Sequence, residues 1–271
     1  MTDPGNQLAD RLDFALRAAR EAQSLILRYY QNADLAVDLK GDLSPVTSAD
    51  RGAEELIRKL IEREFPDDGI LGEEFGEQTG NSGFRWILDP VDGTKSFVHG
   101  VPLFGTLIGM EHDGRAVLGV CRLPALDEVV YAAEDSGAWW QRGDAPPTRA
   151  QVSTTGRLED ALFSFTAVEL FDQLGRRPTF DAFVDACNAT RAWGDCYGHV
   201  LVATGRADVM CDPVMNIWDC APLLPILKEA GGAFIDWTGA ETISGGDGIS
   251  MNANLRSAVV ELVRQTDAGS R

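Results

Sequence analysis

The chain has 271 residues, enough for one large domain or two medium ones sharing a core. Its content, 44% hydrophobic, 24% charged and 8% aromatic, is that of a globular protein rather than a disordered or fibrous one. Twenty-four basic residues against 42 acidic give a net charge of −18, which argues against nucleic acid or an anionic membrane as partner and suits a protein that binds cations.

In chain order, the start MTDPGNQLADRLDFALRAAREAQ is charged and helical in pattern, without the apolar core of a secretory leader. No run approaches the roughly 18 apolar residues of a membrane span. A long amphipathic helix is expected over residues 7–30, with Leu8, Leu12, Ala15, Ala19, Ala22 and Ile26 on one stripe. A second is expected from Asp50 to Glu64, with Ser48 as its cap and Pro66 just past its end. GILGEEF (69–75) reads as a short strand ending in Glu73 and Glu74, and FRWILDP (84–90) as another ending in Asp89. A helix is expected to begin at Thr94. From Leu103 to Trp140, apolar runs punctuated by HDG, LPALDE and EDSG suggest antiparallel hairpins. RGDAPPTRA (142–150) is linker-like, and it divides the chain into an α+β half, 1–150, and an α/β half, 151–271. NIWDCAPLLPILKEAGG (216–232) reads as a helix closed by Gly231.

Cys121, Cys187, Cys196, Cys211 and Cys220 are odd in number and form no C-x-x-C pair, so free thiols in a reducing, cytoplasmic compartment are expected. His99, His112 and His199 are too scattered for an imidazole metal centre. Any metal must therefore be held by oxygen, which points to a hard cation such as Mg²⁺. Carboxylates stand at the ends of elements in four places: Asp50 in VTSAD, Glu73 in LGEE, Asp89 and Asp92 in LDPVDGT, and Asp219 in NIWDC. Taken singly, Asp50 and Asp219 also suit helix starts, Asp89 and Asp92 a tight turn, and Glu73 a surface. Together they supply what two or three Mg²⁺ ions need to clamp a phosphoryl group. Gly93 lets backbone approach a ligand closely, and the helix start at Thr94 aims N–H groups at an anion. The combination is phosphatase-like, with a small-molecule phosphate ester as substrate. The P-loop pattern G-x-x-x-x-G-K-[ST] is absent, which disfavours a nucleotide kinase. Haloacid-dehalogenase-type phosphatases carry D-x-D-G-T, but here the two aspartates are three residues apart and a nucleophile falls out of line.

These residues resemble the inositol monophosphatase family of Mg²⁺-dependent phosphatases. Its D-P-[IL]-D-G-T is matched by Asp89-Pro90-Val91-Asp92-Gly93-Thr94, with Val91 a mild departure. Its G-E-E is matched by Gly72-Glu73-Glu74, and its late W-D…EAGG by Trp218-Asp219 through Gly232. The resemblance implies a five-layer αβαβα sandwich, usually a homodimer. It makes Glu73, Asp89, Asp92, Asp219 and the Val91 carbonyl metal ligands, with Mn²⁺ a possible substitute for Mg²⁺. It gives the phosphate to the N–H groups of Gly93 and Thr94. By the same resemblance Thr94 and Glu73 would orient and deprotonate the attacking water, Asp50 would position the Thr94 hydroxyl, and Lys40 would be a further partner near the metals.

Within the family, inositol phosphatases commonly continue as G-T-T-N-F and carry a small G-[ST]-A element. This chain has GTKSF at 93–97 and Gly194-Asp195-Cys196. WGDCYG, LVATGRADVM and DPVMNIWD are similar to the histidinol-phosphate phosphatase branch, which acts in histidine biosynthesis. That ester carries an amine and a titratable imidazole, which call for carboxylate or carbonyl partners. Asp195 and Asp212 meet the need, although both also suit turns, and Asn216 adds a hydrogen-bonding group. With Asp92 and Gly194 they are the expected substrate contacts. Hydrolysis of an inositol phosphate or of 3′-phosphoadenosine 5′-phosphate is the alternative within the family, since the latter branch also has a lysine after G-T. A non-catalytic interaction module is the alternative outside it. Lys95, His99, Trp139, Trp140 and the thiols of Cys196 and Cys220 are given no role.

Overall fold

A computed structural model describes residues 4–32, 37–39 and 45–267 of the chain. Lys40 lies outside the described residues. Among the described residues, helices and sheets alternate in five layers. The first layer pairs α1 (Pro4–Ile26) with α2 (Ser48–Glu64), and a ribbon of β1 (Val37–Leu39) and β2 (Pro45–Thr47) lies between them in the chain. The second is a sheet of β3 (Gly69–Gly72), β4 (Gly76–Gln78), β5 (Phe84–Asp92), β6 (Gly105–His112), β7 (Arg115–Leu123), β8 (Glu128–Ala133), β9 (Gly137–Arg142) and β10 (Thr148–Arg149). Their spatial order is β10-β9-β8-β7-β6-β5-β3-β4, and only β3 and β5 run parallel. A short α3 (Thr94–Val98) follows β5.

The fourth layer is a sheet of β11 (Leu162–Phe165), β12 (Ala189–Arg191), β13 (Val209–Asp212), β14 (Gly232–Ile235) and β15 (Gly248–Asn252), ordered β12-β11-β13-β15-β14. Helices α4 (Val168–Gln173), α5 (Arg177–Ala186) and α8 (Arg256–Asp267) form the fifth layer. Between the sheets lie α6 (Asp195–Ala203) and α7 (Ile217–Glu229). Strand alternation builds this sandwich: Trp86 and Leu88 of β5 face the first helical layer, while Ile87 faces the middle one. Among the described residues no helix is long and apolar enough to cross a membrane.

Two glycines let α7 sink onto the first sheet. Gly109 and Gly119 are cross-strand partners on β6 and β7. A Cβ on Gly119 would stand 1.9 Å from the Pro222 carbonyl oxygen, and one on Gly109 would stand 2.9 Å from the Ala221 Cβ. Leu223, Ile226 and Leu227 are then fully enclosed, each contributing about 1.5–3 kcal/mol of burial. The helix is thereby fixed with its N-terminus, and Asp219, at the end of β5.

The expected elements are displaced in places. The first helix ends at Ile26 and gives way to turns, with Gln31 at φ +57°. The cap of α2 is Thr47 rather than Ser48: its hydroxyl accepts the Ala49 N–H at 3.1 Å, and its own N–H donates to the Asp50 carboxylate at 2.8 Å. β3 stops at Gly72, leaving Glu73 and Glu74 in the turn to β4. β5 continues past Asp89 to Asp92. The 142–150 stretch is not a plain linker, because Thr148 and Arg149 pair with β9 as an edge strand.

Candidate active site and metal centre

A bulge in β5 assembles the centre. Residues three apart on a regular strand point to opposite faces. Asp89 pairs with Leu107 and Asp92 with Gly105, so three steps on β5 match two on β6. The extra residue returns Asp92 to the face of Asp89. Pro90, which has no N–H to offer the ladder, is tolerated there, and its carbonyl accepts the Thr106 hydroxyl at 2.9 Å. The result is that oxygens of Asp89, Asp92 and Asp219 all lie within 4.8 Å of one another.

Each of the three gives an oxygen to a backbone N–H. Asp89 accepts from Val91 at 3.0 Å, Asp92 from Cys196 in the first turn of α6 at 2.5 Å, and Asp219 from Asn216 at 2.7 Å. Glu73 stands outside this trio but next to Asp89: its own N–H donates to the Leu88 carbonyl at 3.1 Å, and its carboxylate acts on that of Asp89. Burial, then the charges of Glu73, Asp92 and Asp219, hold Asp89 well above the usual carboxylate range. Burial, then the charges of Asp195 and Asp219, do the same to Asp92. Asp219 is pushed up to about 7, mainly by burial and against the pull of the Asn216 N–H. Such a cluster is relieved by a cation. Its donors are oxygen only, which fits a hard divalent ion and not a thiolate or imidazole site.

Val91 is buried, and its carbonyl accepts the Thr94 hydroxyl at 3.1 Å. A carbonyl has a second lone pair, so this bond leaves it able to face a metal. Gly93 sits at φ +80°, where a side chain is strained, and an added Cβ would lie 3.2 Å from Asp195 Oδ2. Asp50 departs from expectation. Its carboxylate takes the N–H and hydroxyl of Thr47, at 2.8 and 2.5 Å, and the Thr94 hydroxyl is directed to Val91 instead. The reason is local, since Asp50 at the third position of α2 is drawn into a capping box. Burial raises Asp50 to about 6 even so.

A cavity of about 490 Å³ opens from the carboxylates, lined by Asp92, Gly93, Thr94, Gly194, Asp195, Asp212 and Asp219 among others. Within it the Asp195 N–H donates to Thr166 Oγ1 at 2.9 Å, and that hydroxyl donates to Asp212 Oδ2 at 2.6 Å. Asp212 Oδ1 is buried without a partner, and burial raises the group to about 7. Asp195 rises to about 6 for the same reason, held back by the Lys95 charge. Asn216 is the N-cap of α7 and lies off the cavity lining. Thr166 went unread because a lone threonine after a strand carries no signal. Glu54, whose carboxylate accepts the N–H groups of Glu74 and Phe75, went unread because a Glu four residues before Arg58 looks like a surface helix pair.

The inositol monophosphatase family model matches residues 7–268. A histidinol-phosphatase from Chlorobaculum parvum is 44% identical over 254 residues, covering 92% of this chain and 96% of that one. Another from Mycobacterium tuberculosis is 38% identical over 251 residues, with 93% and 96% covered. A solved inositol monophosphatase from Zymomonas mobilis superposes with a TM-score of 0.83 at 34% identity, covering 94% of this chain and 98% of that one.

Proposed function

Since this chain belongs to the inositol monophosphatase family, we propose that it hydrolyses L-histidinol phosphate with the help of divalent metal ions. It is a phosphoric monoester hydrolase, as its relatives are. The observation that carries the catalytic reading is the convergence of Asp89, Asp92 and Asp219 within 4.8 Å at the foot of the cavity. With Glu73 and the Val91 carbonyl, these residues would hold Mg²⁺, for which Mn²⁺ could substitute. Two or three such ions per site, when bound, would neutralise phosphoryl charge and lower the pKa of a water.

The chain's own groups do the rest. The N–H groups of Gly93 and Thr94 receive phosphate oxygens. Glu73 takes the proton of the attacking water, and the Thr94 hydroxyl orients it. Asp50 fixes the start of α2 alongside. Asp195 and Asp212, with Gly194 allowing the close approach of α6, accept hydrogen bonds from the ammonium and imidazole of the alcohol half. The unpartnered Asp212 Oδ1, on a residue only 6% exposed, supports that assignment. A buried acceptor with no donor is costly, and a cationic ligand relieves it. A homodimer in the cytoplasm is the assembly and setting of this reading, in keeping with five free cysteines.

The test compares kcat/KM for histidinol phosphate and myo-inositol 1-phosphate with Mg²⁺. A preference for histidinol phosphate is expected, and Asp212→Asn is expected to cut it by roughly 10- to 100-fold, the worth of a charge-assisted hydrogen bond. Equal values for the two esters in the wild type would reject the substrate while leaving the hydrolase intact.

A further inference from the structure

We propose that Glu54 is a positioning residue that sets the orientation of Glu73 at the metal centre. The inference deepens the proposed function and rests on Glu73 serving the metals and the attacking water. Along α2, Asp50, Glu54 and Arg58 recur every fourth residue and form one stripe. Glu54 is fully buried. Its Oε2 accepts the Glu74 N–H at 2.7 Å, and its Oε1 accepts the Phe75 N–H at 3.2 Å and Arg58 Nε at 2.7 Å. Arg58 also donates to the Gly76 carbonyl at the end of the same turn.

The backbone of Glu73 is thus clamped on both sides. Its own N–H is tied to β5 through Leu88, and the next two N–H groups are tied to α2 through Glu54. Gly72 completes the arrangement. A Cβ there would lie 2.0 Å from Glu54 Oε1, so the carboxylate reaches the turn only because position 72 has no side chain. Stability alone does not account for the pair. A buried Glu–Arg pair yields little net stability, and apolar side chains of like volume often do as well. What a charged acceptor adds is direction, since it holds two successive N–H groups at once. Glu54 does not itself join the carboxylate trio, because its oxygens are taken by those donors.

Glu54→Gln tests this, with Mn²⁺ affinity measured by electron paramagnetic resonance or calorimetry, steady-state kinetics, and a melting curve. The expected result is a folded protein whose Mn²⁺ affinity and half-saturating Mg²⁺ both weaken by about 10- to 100-fold, the usual effect of losing a partner behind a metal ligand. At saturating metal the KM for histidinol phosphate should stay within about 2-fold of wild type, because substrate contacts are untouched. A merely structural role lowers Tm and leaves Mn²⁺ affinity alone, and that outcome overturns the inference. Glu54→Asp keeps the charge but withdraws the carboxylate from the N–H groups of the turn. It decides the matter if Glu54→Gln does not fold: weaker Mn²⁺ binding supports the inference, and wild-type binding overturns it. Glu73→Gln separates the two levels. If it loses Mn²⁺ affinity while Glu54→Gln does not, only the positioning role falls; if it binds as wild type does, the role of Glu73 falls as well.

Discussion

Asp92 answers two demands at once. It holds the first turn of α6 through the Cys196 N–H, and it stands with Asp89 and Asp219 in a cluster whose members repel. Asp92→Asn keeps the shape and an oxygen for that N–H but removes one charge. The metal-free protein should therefore gain stability, on the order of 1 kcal/mol or a few degrees in Tm, while kcat falls by more than about 100-fold, beyond the usual effect of outer partners. Calorimetric melts with EDTA and with Mg²⁺, beside rates at saturating substrate, check both signs. A near-normal rate removes Asp92 from the metal site, and a lower metal-free Tm refutes the repulsion among the three carboxylates. The identities of Asp89 and Asp92 were legible as a motif. What made their spacing workable was not: a one-residue bulge against β6 depends on the partner strand, which the local sequence does not reveal. Glu54 was hidden for the opposite reason. Its near neighbour Arg58 explains it too well, and only the distant turn at 74–75 shows its burial.

At the level of elements, α6 shows why some of the architecture resisted reading. It is apolar or buried on nearly every side because it lies between two sheets, so amphipathic periodicity has little to report. α7 was readable by its closing glycine, whereas its seat on Gly109 and Gly119 joins positions a hundred residues apart. The hairpins from β6 to β9 followed from turn punctuation, but the two-residue edge strand β10 was too short for any period to register. α6 also carries a testable titration. His199 is fully buried, its Nδ1 is 2.7 Å from Ser250 Oγ on β15, its Nε2 has no partner, and burial pushes its pKa down to about 3. The unfolded chain takes a proton near pH 6.5 that the folded one refuses. Stability from this group is therefore complete above pH 6.5 and lost as pH falls toward 3, by at most about 1.4 kcal/mol per unit. Between pH 6.5 and 5, urea denaturation should show wild type losing about 2 kcal/mol relative to His199→Gln. Parallel pH profiles for the two proteins would refute the buried neutral histidine. Other titrations cancel in the comparison.

Across the whole molecule the opposite sign operates at higher pH. The fold brings Asp50 from α2, Asp195 from α6, Asp212 from β13 and Asp219 from α7 toward one region, and burial raises them to about 6, 6, 7 and 7. Unfolded, each releases its proton near pH 4. Between pH 4 and 7 the folded chain holds protons that the unfolded chain has lost, so metal-free stability falls as pH rises through that window. A chain carrying −18 gains no relief from its remaining charges. Under the proposed function divalent ions compete with protons for Asp89, Asp92 and Asp219, so metal-induced stabilisation should grow in the same direction. The EDTA-treated protein is thus expected to melt several degrees lower at pH 8 than at pH 6, and millimolar Mg²⁺ to raise Tm more at pH 8 than at pH 6. Differential scanning calorimetry at the two pH values, with and without Mg²⁺, measures both. Replacing Asp219 by Asn should shrink the Mg²⁺ increment at pH 8 and flatten the metal-free slope together, because one carboxylate gives rise to both. A variant that loses the increment but keeps the full slope would show that the ions and the raised protons occupy different groups.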